Sequence, residues 1–100
     1  MKNKLRDEQT DRLFAGMLTL KNIDECYAFF TDLCTISEVK SMAQRFHVAS
    51  MLKEGVKYSE ICERTGVSSA TISRVSRCLE YGMDGYNLVL DRLEKMDEDK

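Results

Sequence analysis

Nine residues between positions 57 and 77 have the types and spacing to bind an anionic polymer: Lys57, Ser59, Ser68, Ser69, Ala70, Thr71, Ser73, Arg74 and Arg77. Hydroxyl groups donate to and accept from base edges and phosphate oxygens, and guanidinium groups grip guanine or phosphate. Ala70 contributes by being small. No Asp or Glu interrupts the stretch from Gly66 to Cys78. Such a surface suits nucleic acid, provided one rigid element presents it.

Other chemistries find less material. The chain has four cysteines and one histidine, His47, and no Cys pair has the two-residue spacing of a zinc site. Cys26 and Cys34 are expected on one helix, about 12 Å apart, which is too far for a disulfide. The four thiols are expected to act as small buried hydrophobes. GVSSATIS lacks the spacing and the lysine of a phosphate-binding loop. No nucleophile–base pair is evident, so the expectation is a non-enzyme without metal or cofactor.

The elements that position the nine residues follow from YSEICERTGVSSATISRVSRCL, residues 58–79. Two short helices joined by a glycine-containing turn form a helix-turn-helix. The second helix crosses the first closely, so the position four before the turn glycine must be small; Cys62 fits. Gly66 permits positive φ. Val67 plugs the space between the helices. Ile61 on the first helix, and Ile72, Val75 and Leu79 on the second, point inward, with Ser68 as N-cap. At about 100° per residue the outward face then holds Ala70, Ser73, Arg74 and Arg77, flanked by Ser69 and Thr71. The first helix presents Lys57, Tyr58 and Ser59 at its positive N-terminus.

Helices are expected elsewhere too. Asp7 to Leu20 carries Leu13, Phe14, Met17, Leu18 and Leu20, with Gly16 suggesting a close helix crossing. Asn22 caps a second helix bearing Ile23, Cys26, Tyr27 and Phe30. Thr35 with Glu38 has the capping-box spacing before a long helix whose stripe is Ile36, Val39, Ala43, Phe46, Ala49 and Leu52, ending at Gly55. Gly82 and Gly85 precede a last amphipathic stretch through Tyr86, Val89, Leu90, Leu93 and Met96. An acidic tail, 97–100, is expected to fray. No segment alternates as a strand does.

The chain has 100 residues, 43% hydrophobic and 32% charged, and no proline. That suits one small soluble helical domain and excludes a disordered chain. No stretch approaches the ~18–20 apolar residues that span a bilayer. The polar segment from Met1 to Arg12 is not a secretory signal, so a cytoplasmic location is expected. The net charge is −2, unevenly spread. Residues 35–82 hold seven basic against five acidic side chains, while 83–100 hold three against six. The basic excess lies where a groove reader needs it, though it is modest.

The carriers TISEVKSMAQRFHVASMLKEG and YSEICERTGVSSATISRVSRCL resemble the Trp repressor superfamily, and within it the YerC/YecD-like branch. The resemblance implies an all-α bundle of about six helices. It also implies one domain over 1–100, an intertwined homodimer, and a sequence-specific transcriptional repressor that reads double-stranded DNA with helix 69–80. It further implies an effector site: Arg45 and Arg74 match the arginines that sandwich the corepressor, and Thr35 matches a threonine at the pocket edge. Two positions depart from that pattern. Val75 stands where the repressors have glycine, and Cys78 where they have a ligand-holding serine. Tryptophan is therefore not expected to fit; another small effector and a ligand-free reading head both stay open. A helix-turn-helix serving as a protein-interaction module without DNA is the alternative function, favoured by the acidic final segment.

Overall fold

A computed structural model describes residues 3–99. Among them are six α-helices and no strand: α1 (Glu8–Met17), α2 (Ile23–Leu33), α3 (Ile36–Lys53), α4 (Tyr58–Thr65), α5 (Ser69–Tyr81) and α6 (Gly85–Glu98). The chain divides into two compact units, Met1–Ile36 and Ser37–Lys100.

In the first unit the helix starts are set by side-chain caps. Asp7 Oδ1 accepts from the Thr10 amide at 2.7 Å, and Asn22 Oδ1 from the Glu25 amide at 2.9 Å. Each satisfies one of the amides a helix start leaves unpaired. The Thr10 amide and hydroxyl hold the Asp7 carboxyl below its ordinary value of 3.8. Cys34 lies just past α2 in extended backbone, not within it. Neither α1 nor α2 holds a buried residue. Leu18 is 86% exposed and Tyr27 71%. Gly16 has no neighbour within 4 Å of where a Cβ would stand, so no close helix crossing forms at Gly16 among the described residues.

The second unit contains the core. Val48, Ala49, Met51, Ile61, Val67, Ile72 and Val75 are buried together, with Leu52, Val56, Cys62, Leu79, Tyr86 and Leu90 packed against them. The α3 stripe is thereby corrected. Ala49 is buried and Leu52 packs on the core as that stripe requires, but Val48 and Met51 beside it are buried too, whereas Ile36 and Ala43 are exposed. The α3 sequence is apolar on more than one side, so spacing alone could not select the face that α4 and α5 cover. The helix ends in a Schellman turn: Gly55, at φ 86°, donates to Leu52 O at 3.0 Å, and Val56 to Met51 O at 3.1 Å. Val56 is thereby directed into the core.

α6 is tied to the unit by apolar and polar contacts. Phe46 and Tyr86 stack with centroids 6.5 Å apart. Lys53 Nζ pairs with Asp91, and Asn87 Nδ2 donates to Leu79 O at 3.1 Å. α6 begins at Gly85 and continues through Asp97 and Glu98, which were expected to fray. Lys95 in its last turn complements the negative helix end. Lys100 lies outside the described residues, as do residues 1 and 2. No described helix is long and apolar enough to cross a membrane.

Candidate nucleic-acid interface

The turn from α4 to α5 decides where the candidate residues stand. Gly66 takes φ 74° and its N–H donates to Cys62 O at 2.8 Å. A residue with a Cβ is strained in that left-handed region. Val67, one position on, is buried in the core. Ser68 then caps α5, its Oγ accepting from the Thr71 amide at 3.2 Å. Ile61, Ile72 and Val75 are inward and at most 2% exposed, as their spacing required.

With that face buried, Ser69, Ala70, Ser73, Arg74 and Arg77 are exposed on α5. The first turn of α5 has no acidic residue, and neither Arg74 nor Arg77 is ion-paired among the described residues. Lys53 and Arg64, by contrast, are paired with Asp91 and Glu60. Lys57 is the N-cap residue of α4 without a side-chain cap bond, and Ser59 stands in the first α4 turn; both are exposed. Thr71 is different. It is partly buried, and its Oγ1 accepts from Ser68 Oγ at 3.1 Å. Ser68 and Thr71 therefore serve the cap as well as the surface.

The effector residues lie on different elements. Arg45 is partly buried in the middle of α3, while Arg74 and Cys78 are exposed on α5. Thr35 belongs to the other unit, immediately before α3. Val75 is 2% exposed and part of the core. The four cysteines are free thiols, as expected, but none is fully buried and Cys78 is exposed. Cys78 lies on the α5 surface, not on the inward line of Ile72, Val75 and Leu79.

Two contributors were missed in the sequence. Thr65 Oγ1 donates to Ile61 O at 2.6 Å and accepts from the Val67 amide at 3.2 Å, bracing the turn. A threonine at a helix end beside glycine is a weak signal for such bracing. Asn87 reaches eight residues back to Leu79, a contact with no local signature.

The geometry agrees with the comparisons to known proteins. The family model described as Trp repressor protein matches residues 8–94. YerC, an uncharacterized protein of Bacillus subtilis, is 55% identical over 93 residues, covering 93% of this chain and 89% of YerC. A TrpR-like protein from Eubacterium eligens superposes with a TM-score of 0.88 at 53% identity, covering 93% of this chain and 96% of that one. A candidate Trp repressor from Staphylococcus aureus gives 0.86 at 50% identity, covering 91% of each chain. Six helices in this order, the capped glycine turn and these matches bear out the resemblance seen in the sequence: the chain belongs to the Trp repressor protein family.

Proposed function

We propose that the protein is a sequence-specific DNA-binding transcriptional repressor that acts as a homodimer and reads the major groove with α5. The observation that carries this reading is the outward face of α5. From Ser69 to Cys78 it is small, hydroxylated and free of acid, with Glu80 the first acidic residue on that face, and it bears two arginines without an ion pair among the described residues, on a helix held by its turn and core. Ser69, Ala70 and Ser73 let the helix approach base edges; Arg74 and Arg77 contact guanine or phosphate; Ser68 and Thr71 flank the entry. Lys57 and Ser59 meet the backbone where α4 crosses it.

The dimer is supported by the first unit, whose helices bury nothing. Leu18, Ile23, Tyr27 and Leu33 are exposed there, and an open groove of about 430 Å³ runs past Leu13, Gly16, Phe29 and Leu33. A second copy of the chain would cover such a surface. The buried Val75 side chain supports a reading head that is set without tryptophan. Thr35, Arg45, Arg74 and Cys78 are the positions at which a different small effector would act.

The test is selection of bound fragments from genomic DNA at ~0.1 M salt, the range in which phosphate contacts remain measurable. The expected product is a palindrome with half-sites ~34 Å apart. Arg74→Ala with Arg77→Ala should abolish the enrichment and flatten the salt dependence. A folded dimer that enriches no DNA, with or without added amino acids, rejects the reading and favours a protein-interaction module.

A further inference from the structure

The last turn of α5 is closed by a side chain from the next helix. A helix leaves its last four carbonyls without intrahelical donors. In α5 the Cys78 carbonyl accepts from the Gly82 amide at 3.0 Å. The Leu79 carbonyl accepts from Asn87 Nδ2 at 3.1 Å. The same nitrogen donates to Asp84 Oδ1 at 2.9 Å.

Both N–H bonds of the Asn87 amide are thus used, and both partners are acceptors. Only one orientation of the amide satisfies them. Asp84 contributes to the arrangement. It adopts φ 66°, a left-handed conformation that aspartate tolerates better than most residues. Its side chain makes no cap bond to α6 and is committed to Asn87. Leu79, whose carbonyl is held, also packs against the core. The two ends of α5 are therefore secured by different means: Ser68 caps the first turn, Ile72 and Val75 anchor the middle, and Asn87 secures the last turn. Arg77 lies two residues before Leu79.

Resting on the DNA-reading role above, we propose that Asn87 is a positioning residue that fixes the last turn of α5 and so aims Arg77 at DNA. Asn87 itself touches no DNA in this arrangement; its effect passes through Arg77.

The experiment measures affinity for the DNA that the wild-type dimer selects, in a double-mutant cycle. Asn87→Ala should weaken binding about three- to tenfold, the effect of one net hydrogen bond. That loss should vanish in an Arg77→Ala background and persist in a Ser69→Ala background, because Ser69 sits at the opposite end of α5. Asn87→Asp, which sets a carboxylate against Asp84, should weaken binding further. Amide exchange at Tyr81 and Gly82 should accelerate in both variants. Should Asn87→Ala fail to fold, Asp84→Gly removes one of the two bonds without backbone strain. It should weaken binding about twofold with the same dependence on Arg77. Additive losses with Arg77→Ala, or unchanged exchange at the end of α5, overturn the proposal while leaving DNA reading intact. A folded wild-type dimer that selects no DNA overturns the functional reading, and with it the role assigned to Asn87.

Discussion

The first two helices and the last four start from similar local means and reach different ends. Asp7 and Asn22 cap α1 and α2 as Ser68 caps α5, and every one of these helices carries an apolar stripe. Around α4 and α5 the stripes meet in a buried cluster of seven residues; on α1 and α2 nothing is buried. Caps and periodicity are local properties, whereas burial needs a second surface. Helices of 10 and 11 residues are marginal alone in water. The helix-turn-helix supplies its own cover, and the N-terminal pair, in the reading proposed above, takes it from a second copy.

The largest expected effect is in the core. Val75→Gly removes a buried side chain and places glycine inside a helix. It should cost about 3–4 kcal/mol in chemical denaturation, combining a cavity with a helix-propensity penalty. Ile23→Ser with Tyr27→Ser truncates two exposed side chains one turn apart on α2. If α2 lies in the dimer contact, this pair should lower dimer stability by about 3 kcal/mol, a shift of roughly a hundredfold in dissociation constant. Sedimentation should then show mass moving toward 11.5 kDa. A wild-type chain that already sediments at 11.5 kDa at every concentration would remove the proposed cover.

Smaller effects separate backbone from packing. Gly66→Ala meets no steric neighbour within 4 Å, so its penalty comes from φ 74° alone. It should cost about 1–2 kcal/mol in thermal or chemical unfolding of the second unit. Acid acts on the first unit. Asp7 is held below 3.8 by the Thr10 hydrogen bonds, so the charged carboxylate is the form the folded cap prefers. Its contribution is present above its ordinary value and is lost as pH falls through the lower folded value. An NMR titration from ~pH 5 to ~pH 2 should show the Thr10 amide losing its bond, and Asp7→Asn should remove that pH dependence. The α5 start should not follow, since Ser68 does not titrate.

Much of the candidate interface was legible because the motif is local. Gly66, Val67, Ser68, Ile61, Ile72 and Val75 occupy places dictated within 15 residues of chain, and the structure has each of them there. The burial of Val48 and the exposure of Ile36 and Ala43 were not legible. α3 has apolar residues on several sides, and only the helices packed on it select one. Cys78 was misjudged because a thiol is compatible with either side of a helix.

What the sequence determined by itself were the six helices, the caps at Asn22 and Ser68, the stop at Gly55, the turn at Gly66 and the face of α5 opposite Ile72 and Val75. Each follows from hydrogen-bond satisfaction and steric limits among residues close along the chain. Tertiary structure alone decided that Val48 and Met51 of α3 are core while Ile36 and Ala43 are exposed, and that Asn87 meets Leu79 from the next helix. Those contacts join residues whose separation leaves no periodic trace. They form only where packing brings a donor to an acceptor or one apolar face to another.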